Sequence, residues 1–216
     1  MKAQDMQNPS SSSVVALYDG AAESYASMMD EEIKLPVYAE TLARLSESIS
    51  GVPGAVVDTS CGTGHMLWLY RARYDPERTV IGIDLSPRMV AVARSRLGQD
   101  AQIVVGDMRR LTELASSSVA GIISFFAIHH LDSNEVKDSL SEWHRVLRTD
   151  GRVVLAAWEG SGLIDYGGTS DVIAYKHAEK ELTAWVGECG FRLEQCRVET
   201  VKEMGMDAVY LGAASV

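Results

Sequence analysis

Two glycines and two acids in the first half of the chain have residue types and spacing suited to a nucleoside-like ligand. Gly62 and Gly64 lie in a turn of small residues that follows an apolar stretch ending in Asp58. Glycine lets backbone N–H groups approach a ligand because it has no Cβ. Asp84 follows Gly64 by 20 residues, the separation at which an acid meets ribose hydroxyls in many nucleotide sites. A strand before the turn and a helix after it must position these groups, which predicts the start of a doubly wound α/β domain.

The turn carries neither of the common phosphate-binding fingerprints. The dinucleotide pattern G-x-G-x-x-G requires a third glycine, and Leu67 stands at that position. The P-loop requires lysine and then serine or threonine after its last glycine, whereas Gly64 is followed by His65. The carboxylate of Asp58 would repel a phosphate and attract an amine or another cation. A ligand with an amino group, a ribose and an adenine, but no phosphate, fits these residues best.

Further stretches complete a pattern that resembles the class I S-adenosylmethionine-dependent methyltransferases of the small-molecule type. The resemblance covers about residues 14–215 in the family's order. One departure is Ser60, where the family usually has glycine or alanine, but serine is small enough for the turn. The stretches that carry the resemblance are 58–64, 81–86, 106–108, 125–131 and 146–151.

The resemblance implies a doubly wound, Rossmann-like α/β fold with S-adenosyl-L-methionine as the cofactor. Its seven-stranded sheet would be mostly parallel, with an antiparallel C-terminal hairpin strand and helices on both faces. The patterns along the chain agree with that architecture, since apolar strand-like runs alternate with helical periodicity. We predict strands over 55–59, 79–85, 101–106, 119–128, 151–158, 191–202 and 207–215.

The resemblance also assigns cofactor contacts by position. Asp84 would bind the ribose hydroxyls, and Asp107 would accept a hydrogen bond from the adenine amine while Met108 flanks the ring. Leu85 and Met89 would pack near the edge of the adenine. The residues expected to contact the cofactor are Tyr18, Tyr25, Asp58, Ser60, Cys61, Gly62, Gly64, Asp84, Leu85, Met89, Asp107, Met108 and Phe125.

Two of these acids have a structural alternative. Asp84 could cap the helix predicted over 87–97, although Ser86 can fill that role without help. Asp107 could cap a short helix that runs toward Leu114 instead of binding a ligand. We favour the ligand role for both acids.

The N-terminal region looks like the family's lid over the cofactor. Residues 1–13 are polar and are expected to form a disordered arm, whereas residues 14–50 read as helical with an interruption near 35–36. The segment from Tyr18 to Tyr25 reads Tyr-Asp-x-x-Ala-x-x-Tyr, similar to the family's lid segment, which also lines the substrate pocket. The alternative is that both tyrosines simply face the core.

Two adjacent histidines are the candidates for acid–base chemistry. His129 and His130 follow the apolar run 119–128 and precede Asp132 and Glu135, which have the spacing of a capping box. They would therefore lie at the carboxyl edge of the sheet, on opposite faces if the strand alternation continued. A histidine there can act as a general base or orient a substrate hydroxyl. We favour His130, and the alternative for either is a packing role.

The stretch 159–177 breaks the periodic pattern and is rich in glycine. A loop of this length at the carboxyl edge of a sheet is more often functional than a plain connection, and the family places substrate contacts there. The aromatic residues around the site favour an apolar or ring-bearing acceptor. The residues expected to bind the substrate are Tyr18, Tyr25, His130, Trp158, Tyr166 and Tyr175.

Composition narrows the class of protein. The 216 residues fit one domain over 14–216, with 46% hydrophobic residues and a net charge of −10. The acidic balance disfavours nucleic acid as a partner. The three cysteines fit free thiols in a reducing compartment, and neither a signal peptide nor a membrane span is evident. We expect a cytoplasmic monomer or homodimer without a metal site.

These features together predict methyl transfer from S-adenosyl-L-methionine to an oxygen or nitrogen atom of a small organic metabolite, such as one of secondary metabolism. The transfer would be an in-line displacement, for which positioning and exclusion of water are the main requirements. Two alternatives stay open: a nicotinamide-dependent oxidoreductase, against which the missing third glycine argues, and a non-catalytic protein that binds S-adenosylmethionine.

Overall fold

The computed structural model describes residues 9–164, 172–202 and 204–216. In these residues, seven strands form one sheet in the order β3-β2-β1-β4-β5-β7-β6. The strands are β1 Ala55–Asp58, β2 Val80–Asp84, β3 Gln102–Val105, β4 Val119–Phe125, β5 Leu147–Trp158, β6 Phe191–Val201 and β7 Met206–Ser215. The helices are α1 Pro9–Glu32, α2 Pro36–Ser48, α3 His65–Arg73, α4 Pro87–Leu97, α5 Ser133–Val146 and α6 Glu179–Glu188, with a 3₁₀-helix at Ile128–His130.

The sheet topology confirms the predicted fold class. Strands β1 to β5 run parallel to their neighbours, and β7 inserts antiparallel between β5 and β6. The strand order reverses between β1 and β4, which lie side by side at the centre of the sheet. In open α/β sheets, ligands bind outside the carboxyl ends of the strands at such a switch point. The glycine turn after β1 lies at this point.

Local sequence explains where the elements near the switch point begin. Asp132 and Glu135 form the predicted capping box at the start of α5. Ser86 caps α4, where its hydroxyl accepts a hydrogen bond from the backbone N–H of Met89 at 3.0 Å. Pro36 occupies the first turn of α2, where its missing N–H is not needed. These caps fix the loops that follow β2 and β4.

The sheet carries an apolar core on each face. One cluster includes Trp143 of α5 and Leu182 of α6, and the other includes Leu42 of α2 and Leu67 of α3. All of β4 except Phe125 is buried, as expected for a central strand covered on both faces. None of the helices among the described residues has the length and apolar character needed to cross a membrane.

The N-terminal arm is shorter than predicted. Helix α1 begins at Pro9, so the prediction of a disordered arm is wrong for residues 9–13, and residues 1–8 lie outside the described part of the chain. Proline suits the first turn of a helix. Val14 is buried, and Ser11 accepts a hydrogen bond from the guanidinium of Arg109 at 3.2 Å. These contacts stabilise the helical conformation of this polar, serine-rich segment.

The prediction that strand four runs to residue 128 is also wrong. The strand ends at Phe125, and Phe126 has a positive φ of 50° that turns the chain away from the sheet. Ile128 is the first residue of the 3₁₀-helix and is buried in the core, so its apolar character does not indicate a strand. His129 and His130 consequently lie on one helical turn with ring centroids 4.0 Å apart, and they do not alternate across the sheet.

Candidate functional site

The glycine turn after β1 is held by backbone hydrogen bonds to both neighbouring strands. The N–H of Thr59 donates to the carbonyl of Ile123 at 3.0 Å, and the N–H of Cys61 donates to the carbonyl of Ile83 at 2.9 Å. Gly62 within the turn has a positive φ of 49°, a conformation in which a side chain would be strained. The turn is therefore a fixed platform above the carboxyl ends of the central strands.

The two glycines of the turn serve different purposes. A Cβ on Gly62 would approach the ring of Tyr25 to 3.3 Å, so this glycine faces the cavity under α1. A Cβ on Gly64 would approach Ala93 of α4 to 3.2 Å. Gly64 thus allows α3 and α4 to pack closely, and it lines neither of the two cavities described below.

Asp84 joins the glycine turn to the start of α4. Its Oδ2 accepts a hydrogen bond from the N–H of Gly62 at 2.8 Å, and its Oδ1 accepts one from the N–H of Ser86 at 2.9 Å. Ser86, not Asp84, caps α4, as the sequence favoured. Burial raises the pKa of the Asp84 carboxyl, while these two N–H groups oppose the shift.

Asp58 is a buried carboxylate at the end of β1. Its Oδ1 accepts a hydrogen bond from the N–H of Ser60 at 3.2 Å. Burial raises the pKa of Asp58 to about 7; the hydrogen bond from Ser60 lowers it, and the nearby charge of Asp84 raises it further. A cationic ligand beside Asp58 would stabilise its ionised form.

Asp107 is held by the guanidinium of Arg109. Nε of Arg109 lies 3.0 Å from both carboxylate oxygens of Asp107, and Nη2 lies 2.5 Å from Oδ2. Arg109 also pairs with Glu135 at the start of α5. Residues 107–114 form turns and a bridge rather than a helix, so Asp107 does not cap a helix. The backbone N–H of Arg109 also donates to Oδ1 at 2.9 Å, so each oxygen already accepts two hydrogen bonds and a ligand amine would replace one of these donors.

Two cavities lie between α1 and the carboxyl edge of the sheet. The first encloses about 690 Å³, partly open to solvent, and the second about 390 Å³. The second cavity includes the predicted residues Asp58 and Cys61. The predicted cofactor residues that line the first cavity are Tyr18, Tyr25, Ser60, Gly62, Asp84, Leu85, Met89, Asp107, Met108 and Phe125.

Ser60 carries a buried hydroxyl that lacks a hydrogen-bond partner within the described residues. The residue lines both cavities. A buried hydroxyl without a partner is energetically costly, so a polar ligand group next to Ser60 would stabilise this position. The departure from glycine or alanine at residue 60 therefore adds a hydrogen-bonding group to the site.

Helix α1 covers the first cavity and is joined to its opposite wall. The hydroxyl of Tyr18 lies 2.9 Å from Nε2 of His130, and Asp19 accepts hydrogen bonds from the hydroxyl of Ser86 at 2.5 Å and the N–H of Arg88 at 3.1 Å. Tyr18 lines the cavity and so does Tyr25, which also packs against the core. The segment has the position of a lid.

The two candidate histidines occupy different environments. His130 lines the first cavity, and its Nδ1 lies 3.4 Å from the carbonyl of Ile173. Burial lowers the pKa of His130, so its imidazole is neutral near pH 7 and able to accept a proton. His129 is 3% exposed, and its Nδ1 has no hydrogen-bond partner within the described residues. His129 lines neither cavity.

Two other predicted substrate residues, Trp158 and Tyr175, are not brought to the cavities. The ring of Trp158 lies on that of Phe126 with centroids 4.6 Å apart. The N–H of Tyr175 donates to the carbonyl of His129 at 2.6 Å. Neither Trp158 nor Tyr175 lines either cavity. Tyr166 lies outside the described residues.

Several cavity residues were missed in the sequence. Phe126 lines both cavities, but the local sequence does not predict a positive φ for such a bulky residue. His65 follows the glycine turn directly, and this position could have drawn attention to it. Its Nδ1 lies 2.8 Å from the hydroxyl of Thr63 and its Nε2 lies 2.9 Å from Asp30 of α1. The other missed lining residues are Val14, Val15, Met29, Tyr38, Thr59, Thr63, Met66, Ser86, Ala127 and Leu131.

Comparison with known proteins agrees with this arrangement. Residues 56–151 match the family described as methyltransferase domain. The chain is 33% identical over 161 residues to a malonyl-[acyl-carrier protein] O-methyltransferase of Laribacter hongkongensis, covering 67% of this chain and 50% of that relative. It is 30% identical over 139 residues to an uncharacterized methyltransferase of Geobacillus sp., covering 64% and 61%.

A solved structure shares the whole fold. The 1,6-didemethyltoxoflavin-N1-methyltransferase of Burkholderia thailandensis, with bound 1,6-didemethyltoxoflavin and S-adenosylhomocysteine, has a TM-score of 0.72 at 18% identity. The match covers 100% of this chain and 97% of that chain. By its family match and its fold, the chain belongs to the class I S-adenosylmethionine-dependent methyltransferase family. It spans only 50% and 61% of the lengths of the two curated relatives.

Proposed function

We propose that this protein transfers the methyl group of S-adenosylmethionine to an oxygen or nitrogen atom of a small organic acceptor. The observation that carries the proposal is the placement of Asp58, Asp84 and Asp107 along one edge of the sheet, around a glycine turn and beneath α1. Methyl transfer uses a cofactor that carries an ammonium and a sulfonium and no phosphate, so three acids suit it well.

The residues present fit that cofactor. Asp84 would accept hydrogen bonds from the ribose hydroxyls, and Asp107 would accept one from the adenine amine while Met108 packs on the ring. Asp58 would face the ammonium, and the hydroxyl of Ser60 would gain the hydrogen-bond partner that it lacks. The same acids argue against a nicotinamide dinucleotide, because its pyrophosphate would be repelled.

The chain's own residues would position the acceptor and accept its proton. The bound cofactor supplies a methyl group already activated by a positive sulfur, so the acceptor's lone pair forms the new bond as the sulfur–carbon bond breaks. Tyr18 would hold the acceptor in line and pass its proton to the neutral imidazole of His130, whose Nε2 lies 2.9 Å away. Helix α1 would exclude water from the reacting atoms.

A small acceptor is supported by the two cavities beneath α1 and by one solved structure of the same fold. Apolar and aromatic side chains with a few polar groups line both cavities, as is usual for small-molecule sites. The solved structure of the same fold contains bound 1,6-didemethyltoxoflavin. Helix α1 with α2 would act as the lid, and the loop 159–177 would complete the acceptor site. The net charge of −10 disfavours nucleic acid, and the free cysteines favour a reducing, cytoplasmic location.

Two measurements test this function. Calorimetry should show binding of S-adenosylhomocysteine and none of NADH. Incubation with methyl-labelled S-adenosylmethionine and a cellular extract should then place the label in the small-molecule fraction. Binding of NADH alone would overturn the proposed cofactor, and label found only in protein or nucleic acid would overturn the proposed acceptor class.

Cofactor affinity should depend on pH through Asp58. The pKa of Asp58 in the folded protein, about 7, exceeds its ordinary value. The cofactor-free protein therefore loses stability as the pH rises toward about 7 and Asp58 ionises. A bound ammonium favours the ionised form. The affinity for S-adenosylhomocysteine should therefore fall about tenfold from about pH 8 to about pH 6.

Calorimetry at both pH values checks this expectation. The Asp58→Asn variant should bind more weakly at the higher pH and show a flat profile, because it cannot ionise. A wild-type affinity that stays constant over this range would contradict the role given to Asp58.

A further inference from the structure

We propose that Asp30 of helix α1, acting through His65, holds the hydroxyl of Thr63 as an acceptor for the ammonium group of the cofactor. This inference rests on the proposed function and concerns the amino-acid end of S-adenosylmethionine. Thr63 would contact the cofactor, whereas Asp30 and His65 are positioning residues that orient its hydroxyl. The lid helix would thereby contribute to cofactor binding as well as to the acceptor site.

The second cavity is suited to the amino-acid end of the cofactor. Tyr25, Ser60, Phe125 and Phe126 line both cavities, so a ligand whose ribose and base occupy the first cavity can extend into the second. The second cavity also contains Asp58, the acid proposed to face the ammonium. An ammonium group has three N–H donors, so a further acceptor in the same cavity would strengthen its binding.

Thr63, His65 and Asp30 form a relay of hydrogen bonds from the glycine turn to the lid. Thr63 and His65 both line the second cavity, and they are only 1% and 3% exposed. The hydroxyl of Thr63 lies 2.8 Å from Nδ1 of His65. Nε2 of His65 lies 2.9 Å from Oδ1 of Asp30. A residue of α1 is thus connected to a hydroxyl of the cavity wall through one buried imidazole.

The direction of each hydrogen bond in the relay follows from the charge of Asp30. The hydrogen bond from His65 and the charge of Arg96 lower the pKa of the Asp30 carboxyl, so it is ionised near pH 7 and can only accept. Burial lowers the pKa of His65, so its neutral imidazole carries one proton, which must lie on Nε2. Nδ1 then accepts the hydroxyl proton of Thr63. The lone pairs of the Thr63 oxygen remain for a donor such as an ammonium.

Arg96 of α4 joins the two ends of the relay. Its Nη2 donates to Oδ1 of Asp30 at 3.1 Å, and its Nε donates to the backbone carbonyl of Thr63 at 3.1 Å. The glycine turn, α1, α3 and α4 are therefore connected in one ring of hydrogen bonds. Groups that are already fixed lose little conformational freedom when a ligand binds, so the ring preorganises the Thr63 hydroxyl.

A pair of ligands separates ammonium recognition from a purely structural role of the relay. S-adenosylhomocysteine is compared by calorimetry with its deamino analogue, which keeps the adenosine, the sulfur and the carboxylate. Thr63→Val keeps the side-chain shape and removes the hydroxyl, so it should weaken S-adenosylhomocysteine about tenfold and the analogue by less than about twofold. Thr63→Ser keeps a hydroxyl and should retain most of the affinity. Equal weakening of both ligands by Thr63→Val would overturn the inference.

Asp30→Ala tests the contribution of the lid, and it removes a side chain that is 56% exposed. Without this acceptor the imidazole can carry its proton on Nδ1, which turns the Thr63 hydroxyl into a donor toward the cavity. Affinity for S-adenosylhomocysteine should therefore fall about fivefold, and affinity for the deamino analogue should not. Asp30→Asn keeps an acceptor oxygen and should restore most of the loss. An Asp30→Ala effect that is absent, or the same for both ligands, contradicts the role of Asp30.

Glu31→Gln is the matched control for the charge of α1. Glu31 is the next residue of the helix, is exposed and pairs with Lys34. Its substitution should change neither affinity by more than about twofold. A selective loss of S-adenosylhomocysteine affinity in Glu31→Gln as large as that in Asp30→Ala would show that the general charge of the helix, and not the relay, causes the effect.

The double variant Asp30→Ala/Thr63→Val shows whether Asp30 acts through Thr63. It should bind S-adenosylhomocysteine no more weakly than Thr63→Val alone, because the relay then has no hydroxyl to orient. A loss equal to the product of the two single effects would exclude the relay. Failure of the wild-type protein to bind S-adenosylhomocysteine would instead overturn the proposed function.

Discussion

Replacing Asp84 with alanine should weaken binding of S-adenosylhomocysteine by about a hundredfold or more. The carboxylate is proposed to accept two hydrogen bonds from the ribose, and hydrogen bonds to a charged group contribute about 1.5–3 kcal/mol each. It also holds the N–H groups of Gly62 and Ser86 at 2.8 and 2.9 Å. Its loss would therefore loosen the turn that is proposed to bind the cofactor. Calorimetric titration measures the change directly.

Two control variants separate the ligand contact from the structural one. Asp84→Asn keeps one acceptor oxygen and the side-chain volume, so it should lose less affinity than Asp84→Ala. Asp100→Ala removes an acid whose side chain is 85% exposed, and it should leave binding unchanged. Thermal unfolding of each variant shows whether the fold is retained. A folded Asp84→Ala protein with wild-type affinity would refute the proposed site.

The sheet could be predicted because the residues that define each strand and turn are close together in the sequence. The apolar run of β4 is continuous, which marks a strand covered on both faces, and small residues mark the turn after β1. The acids at the ends of β1 and β2 are separated from the glycines by a spacing that the fold itself imposes. Elements of this kind are set by residues close in sequence, so their order and position follow from the pattern.

The wall of the acceptor site could not be predicted, because it depends on tertiary contacts. Phe126 adopts a positive φ, and its N–H donates to the carbonyl of Ala156 at 2.8 Å. That turn directs its ring toward Trp158, a partner on another strand. Tyr38 lines the second cavity, and its hydroxyl donates to Glu32, an acid of a different helix, at 3.0 Å. Single bulky or acidic residues carry no periodic signal, so only the folded chain shows what they contact.

The histidines show how one local conformation changes a functional interpretation. Strand alternation would have put His129 and His130 on opposite faces, with either able to reach a ligand. In the 3₁₀-helix that is present, His129 is buried and His130 reaches the cavity and Tyr18. The preference for His130 at the sequence level agrees with this placement, but its partner Tyr18 lies 112 residues away and no local pattern connects them.

Replacing His130 with alanine should lower the rate of methyl transfer by about a hundredfold, the low end of the range for a general base. Cofactor affinity should stay within about twofold, because no hydrogen bond within the described residues joins His130 to the acids proposed to bind the cofactor. Single-turnover transfer of labelled methyl to the small-molecule fraction measures the rate. In the wild type, the rate should fall as the pH drops through the lowered pKa of His130, and this fall should be absent from the His130→Ala variant.

Tyr18→Phe provides the decisive comparison, because it keeps the ring and removes the hydroxyl that contacts Nε2 of His130. If the acceptor's proton passes through Tyr18 to His130, the two residues act as one unit and their effects are not additive. The double variant should then be about as slow as the slower single variant. A double variant slowed by the product of the two single effects would show that they act independently, and an unchanged rate in His130→Ala would exclude the histidine from the chemistry.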